Sequence, residues 1–170
     1  MIVNGSALLR AAPIKNMLPA KCKKNGVSHG LSEAGYDIRI KQSVEFLPFD
    51  ARIPQYAIFE PEYGTLIEEG LGTFTLASTV EEFQMPNDLV GIVHDKSTWA
   101  RYGLSVFNTV IEPGWSGFLT LELVYHGKSR LLIPAGAGIA QVLFHQIATP
   151  ASYNGKYQGQ EDGPVEARHE

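Results

Sequence analysis

Apolar positions in this chain recur at every second residue over short runs, and turn-forming residues break the runs. Tyr36-Asp37-Ile38-Arg39-Ile40 alternates in this way, and so does Ser43-Val44-Glu45-Phe46-Leu47, just before Pro48. A period of two is what a half-buried strand requires, because successive side chains leave opposite faces. Residues 73–80 are rich in β-branched side chains, and 89–93, 118–125 and 139–144 are further strand candidates. Between the runs lie most of the 17 glycines and 10 prolines. Many short strands with frequent turn signals predict an all-β sandwich or barrel. Helix is sparse. Gly5 to Ala12 suits a short amphipathic helix ending near Pro13. Ser97 to Tyr102 suits another, with Ser97 or Asp95 as N-cap and Gly103 as its stop.

The length of 170 residues fits one domain with its own core. A division into a β domain over 1–150 and a polar, glycine-rich tail over 151–170 follows from the composition. The tail reads either as a frayed end or as a lid that orders on a ligand. A formal net charge of -4 argues against broad binding to nucleic acid, which needs a basic face. It leaves room for a small anion in a local cationic pocket. No apolar stretch is long enough to span a bilayer, and no charged leader precedes an apolar run, so the expectation is a cytoplasmic protein with no membrane partner.

Cys22 is the sole cysteine. That excludes an internal disulfide and a cysteine-built zinc site. The histidines at 29, 94, 126, 145 and 169 do not pair at metal-ligand spacing, and no protein metal site is expected. The zinc-deaminase signature is absent, so any deamination here must activate water without zinc. Nucleophile-elbow and phosphate-loop motifs are absent as well.

Chemistry concentrates in one span. Asp95-Lys96-Ser97-Thr98-Trp99-Ala100-Arg101 puts two hydroxyls beside two cations. If a helix starts here, its free N–H groups favour a phosphate, and Lys96 and Arg101 can neutralise charge. The plainer alternative is an N-capped surface helix with ordinary basic residues. Glu112 follows at a Glu-Pro-Gly turn, either as a turn residue or as a base that positions water. Glu122 sits in the apolar run Phe118 to Tyr125, sharing a face with Phe118, Thr120 and Val124. It is either a solvated strand residue or a desolvated carboxylate with a raised pKa, able to shuttle protons.

The order of these motifs resembles the dCTP deaminase branch of the dCTP deaminase and dUTPase superfamily. The resemblance runs from Gly35-Tyr36-Asp37-Ile38-Arg39-Ile40 through Met85-Pro86-Asn87-Asp88-Leu89-Val90-Gly91. It continues through 96–104 and Pro113-Gly114-Trp115-Ser116-Gly117 to Glu122, and closes with Lys156-Tyr157-Gln158-Gly159-Gln160 and Gly163-Pro164-Val165. It implies a distorted β jelly roll of the dUTPase type that assembles as a homotrimer, with active sites between subunits and the C-terminal tail closing over the nucleotide. The implied activity is zinc-independent deamination of dCTP to dUTP. The alternatives are a dUTP diphosphatase, a bifunctional enzyme releasing dUMP, or a catalytically silent nucleotide-binding regulator.

By the same resemblance, Glu122 would shuttle protons while Ser97 and Arg101 position water and pyrimidine. Glu112 would serve triphosphate hydrolysis, and Asn108 and Thr109 belong to the hairpin that reads the base. Lys96, Ser97 and Thr98 would meet the triphosphate together with Tyr153, Lys156 and Gln160, and magnesium (Mg2+) would bind through the phosphates. Three features depart from the family pattern. The segment 105–112 is shorter than usual, with Phe107 where deaminases often have His. Glu112 replaces Asp, and Lys96 replaces Arg, which loses a bidentate fork but keeps the charge.

Overall fold

The structure, a computed structural model, describes residues 1–47 and 55–169. Pro48, expected to end a strand, and Glu170 at the end of the tail lie outside the described residues. In chain order the elements are β1 (Ile2–Val3), α1 (Gly5–Ala11), β2 (Lys21–Lys24), β3 (Val27–Leu31), β4 (Tyr36–Arg39), β5 (Ser43–Leu47), β6 (Gln55–Phe59) and β7 (Leu66–Leu71). They continue with β8 (Phe74–Gln84), β9 (Leu89–Asp95), α2 (Ser97–Ala100), β10 (Leu104–Val106), β11 (Val110–Ile111), β12 (Ser116–Tyr125), β13 (Leu131–Ile133) and β14 (Gly138–Gln146).

The strands form three antiparallel sheets. One runs β11-β9-β14-β4-β3-β2, with β1 beside β14; the second is β10-β12-β8; the third is β13-β5-β6-β7. This is the all-β architecture that the alternation implies. Every run predicted as a strand is one. Several others carry no such signal. β2, Lys-Cys-Lys-Lys, is exposed at all four positions, as an edge strand blunted by lysine is. β10, β11 and β13 span only two or three residues each.

The sheets close on a core that includes Tyr36, Phe46, Phe83, Leu121, Leu123 and Phe144, all nearly inaccessible. Among the described residues, no helix is long and apolar enough to cross a membrane. Arg39 ties β4 to β8: its backbone N–H and its Nε both donate to the buried Glu81 carboxylate, each at 2.8 Å.

The second helix departs from its expected form. It is a single turn over Ser97–Ala100, with Lys96 in the N-cap position and no side-chain cap. Asp95 does not cap it. Its carboxylate instead accepts the Val106 N–H at 2.7 Å, joining the end of β9 to β10. So short a turn carries little dipole, and any anion here must be met mainly by side chains. Gly103, at φ 88°, ends the turn as expected.

The turn is held from below by Trp99, whose indole Nε1 donates to the Gly138 carbonyl at 2.6 Å. Gly138 starts β14 at a register shift, and a Cβ there would lie 1.9 Å from the Ser28 carbonyl oxygen. That oxygen belongs to a paired strand and cannot move cheaply. Gly138→Ala is expected to lower the melting temperature by roughly 4–10 °C, measured by thermal unfolding; an unchanged value would show that β14 moves freely at this point.

Candidate active site

The site is built on β12. It pairs with β8 from Ser116 opposite Gln84 to Val124 opposite Phe74, with a register shift between Phe118 and Thr120. Thr79 satisfies the irregularity. Its hydroxyl accepts the Leu119 N–H at 3.0 Å and donates to the Glu81 carbonyl at 2.8 Å. Beyond the shift, Glu122 lies opposite Leu76. Its neighbours Leu121 and Leu123 are buried on the other face. Glu122 Oε2 is inaccessible and has no hydrogen-bond partner among the described residues. Burial therefore lifts the Glu122 pKa above the ordinary carboxylate value, with only its own backbone N–H pulling the other way.

That carboxylate faces a cavity of about 880 Å3. β8 contributes Phe74, Thr75 and Leu76; Thr109 and β11 contribute the next wall; Glu112, Trp115, Leu119 and Thr120 come from the turn and β12. The tail adds Tyr153, Tyr157, Gln160, residues 164–167 and His169, and Tyr56 and Glu68 also line the cavity. Its acidic lining residues are Glu68, Glu112, Glu122 and Glu166, and no lysine or arginine is among the described lining residues.

The tail is not a loose end in this structure. The Tyr157 carbonyl accepts the Trp115 indole N–H at 2.6 Å. Gln158 accepts the Ser116 N–H at 2.9 Å and donates to the Gly114 carbonyl at 2.9 Å. Gln160 runs parallel to Gly117 in a single bridge, and its carbonyl accepts the Phe118 N–H at 3.1 Å. Further on, the Val165 N–H donates to the Thr120 hydroxyl at 3.0 Å, and Asp162 pairs with Lys41. Gly117 makes this docking feasible: its φ is 130°, and a Cβ would lie 2.6 Å from the backbone N and O of Gln160.

Five residues singled out from sequence thus meet in one cavity: Glu122, Glu112, Thr109, Tyr153 and Gln160. Asn108 is exposed beside Thr109 and is not part of the lining. Lys156 also stands outside; its Nζ donates to the Arg168 carbonyl at 2.6 Å and lies 5.5 Å from the Tyr157 ring centroid. Lys96, Ser97, Thr98 and Arg101 are not in the lining of this cavity either. Ser97 and Arg101 are exposed on α2, whereas the Lys96 ammonium is turned inward onto Asp37 at 2.5 Å.

Tyr56 and Glu68 were not legible as site residues. The Tyr56 hydroxyl donates to Glu68 at 2.7 Å on the cavity wall. Only the register brings them there: Tyr56 pairs with Gly70, whose Cβ would overlap the phenol ring at 2.6 Å. Short range in sequence offers no sign of that stacking.

Three antiparallel sheets around a desolvated carboxylate define a dUTPase-like β protein. Known proteins agree with this class. The native dUTPase of EIAV superposes with a TM-score of 0.50 at 18% identity, covering 86% of this chain and 92% of that one. A 2'-deoxycytidine 5'-triphosphate deaminase from Agrobacterium tumefaciens gives 0.54 at 17% identity, over 85% of this chain and 48% of that one. In sequence, dCTP deaminase from Helicobacter pylori (strain J99 / ATCC 700824) is 40% identical over 152 residues, covering 81% of this chain and 80% of the relative. The model of the dCTP deaminase-like family matches residues 9–147. The chain belongs to the dCTP deaminase-like family.

The desolvation of Glu122 has a measurable sign. A carboxylate whose pKa is higher folded than unfolded favours folding less as pH rises through the folded value. Glu122→Gln removes that dependence. The variant should melt with wild type near about pH 4 and roughly 3 °C above it at about pH 8, read by thermal unfolding at both pH values; equal melting at both would mean that Glu122 is well solvated.

Proposed function

We propose that this protein is a zinc-independent dCTP deaminase, converting dCTP and water to dUTP and ammonia in cytoplasmic nucleotide metabolism. The observation that carries the reading is the unpartnered, desolvated Glu122 carboxylate facing a nucleotide-sized cavity in a member of this family. Ionised Glu122 takes a proton from water as the oxygen adds to C4 of cytosine. It passes that proton to the ring nitrogen, then takes the proton of the new C4 hydroxyl and delivers it to the amino group. The C4–N bond then breaks, ammonia leaves, and the C4 carbonyl forms. A carboxylate serves in both directions best when its pKa is lifted towards the working pH, which burial supports here. Thr109 and its neighbour Asn108 border the base, and Tyr153 and Gln160 of the tail meet the triphosphate. Lys156, from the same tail, joins them at the triphosphate.

Charge supports a site shared between copies. The described lining of the cavity in one chain has four glutamates, one histidine and no lysine or arginine, an environment hostile to a bare triphosphate. The exposed Ser97 and Arg101, with Thr98 between them, form the missing half when supplied by a neighbouring subunit of a homotrimer. Magnesium belongs to the same reading, carried mostly on the phosphate oxygens so that few protein ligands are needed.

A second reading, a diphosphatase or bifunctional activity releasing dUMP, rests on Glu112, which lies in the same cavity wall as Glu122. Incubation with magnesium and either dCTP or dUTP, resolved by ion exchange, separates the two: dUTP from dCTP alone supports the deaminase, and dUMP supports the second reading. Glu122→Gln should cut dCTP turnover by at least about 100-fold while nucleotide binding persists; full activity in that variant contradicts the assigned role. Removing residues after Pro150 should leave a folded trimer with weakened triphosphate affinity, measured by calorimetry, and unchanged affinity would show that the tail is no lid.

A further inference from the structure

Asp37 lies on β4 and is 2% exposed, so its charge is almost wholly withdrawn from water. Every contact around it is made. Its Oδ2 accepts the Lys96 ammonium at 2.5 Å and the Ser28 hydroxyl at 3.1 Å, and its Oδ1 accepts the Gln141 amide at 3.1 Å. Gln141 is itself held by the Ser32 hydroxyl at 2.9 Å. The Lys96 side chain is 11% exposed. This is a buried ion pair whose carboxylate, on β4, is also held from β3 and β14.

Lys96 has a second attachment through its backbone. Its carbonyl accepts the N–H groups of both Trp99 and Ala100 at 3.0 Å, which closes the single turn of α2. The side chain therefore pins to the sheet the residue from which the turn starts. Trp99 makes the other anchor, through its bond to the Gly138 carbonyl. Ser97, between these two fixed points, and Arg101, two residues past the second, are both exposed, and neither side chain has a hydrogen bond or ion pair with another described residue.

We propose that Asp37 is a positioning residue for the reaction. It commits the Lys96 ammonium to the sheet and thereby sets where the 97–101 turn presents Ser97 and Arg101. Lys96 then serves as the anchor of the turn and not as a phosphate ligand. A buried ion pair is seldom the most stable filling of its space, since apolar or neutral residues often do as well. What it supplies is one defined geometry, and a misplacement of about 1 Å near a reacting centre costs up to about 100-fold in rate. The proposal rests on the deaminase reading for its kinetic readout, and a structural readout stands apart from it.

The experiment uses the full chain with three changes: Asp37→Asn, Lys96→Arg, and the neutral pair Asp37→Asn with Lys96→Met. For each, kcat and KM for dCTP, the melting temperature and the backbone amide shifts of residues 97–101 are measured. Asp37→Asn should lower kcat by about 10- to 100-fold and move the amide shifts. Lys96→Arg should keep both close to wild type. The neutral pair, with no uncompensated buried charge, should regain the melting temperature while kcat stays low, a separation that a merely structural role would not produce. Recovery of kcat together with melting temperature would overturn the proposal. So would a lower KM at unchanged kcat in Asp37→Asn, which would mean that Lys96 reaches phosphate once released. Wild type that fails to turn over dCTP would remove the deaminase reading instead; unmoved amide shifts in Asp37→Asn would still overturn the positioning role.

Discussion

The long pairing of β12 with β8 is the constraint on which the rest depends. It lays Glu122 across from Leu76, between the buried Leu121 and Leu123, where no polar group of the described residues bonds to its Oε2. An ionised carboxylate in that position costs stability, and the fold tolerates the cost because everything around it is well determined. The Thr79 hydroxyl repairs the register shift, Arg39 and Glu81 lock β8 to β4, and the tail lies along the first residues of β12. A rigid frame around one under-solvated acid is what proton transfer between water, ring nitrogen and leaving group requires.

Charge is divided across the molecule in a way that fits a shared site. Carboxylates collect in the cavity, and the exposed cation Arg101 sits apart on α2. The lining of the cavity in a single copy thus carries four glutamates and no lysine or arginine among the described residues. Two features give α2 its fixed place: the indole of Trp99 on the Gly138 carbonyl and the ammonium of Lys96 on Asp37. Both reach the large sheet that also carries β9, so the turn and the strand leading into it are tied to the same sheet.

Much of this was legible in the sequence, for physical reasons. Period-two alternation marked β4 and β5, β-branched content marked β8, and short apolar runs between turn signals marked β9, β12 and β14. Glu122 stood out because a lone carboxylate in an apolar run is either solvated or perturbed, and the register decided which. The less visible parts are those fixed by long-range contact. β2 has no apolar face to alternate, and β10, β11 and β13 are too short to show a period. Asp95 looked like a cap because it precedes a helix, yet the Val106 N–H competes for it and wins. Lys96 read as a phosphate ligand from its neighbours in sequence, and its contact with Asp37, 59 positions away, is one that no local pattern announces. Tyr56 and Glu68 enter the cavity wall only through strand register.

The central claim is that a desolvated Glu122 activates water for attack on cytosine. The most direct measurement is the pH dependence of kcat/KM for dCTP, following dUTP and ammonia together. The account predicts equal amounts of the two products and an acid limb whose midpoint lies above the ordinary glutamate value of about 4.3, with rate rising as Glu122 ionises. A rate that stays flat through that range, or the absence of dUTP, would contradict it.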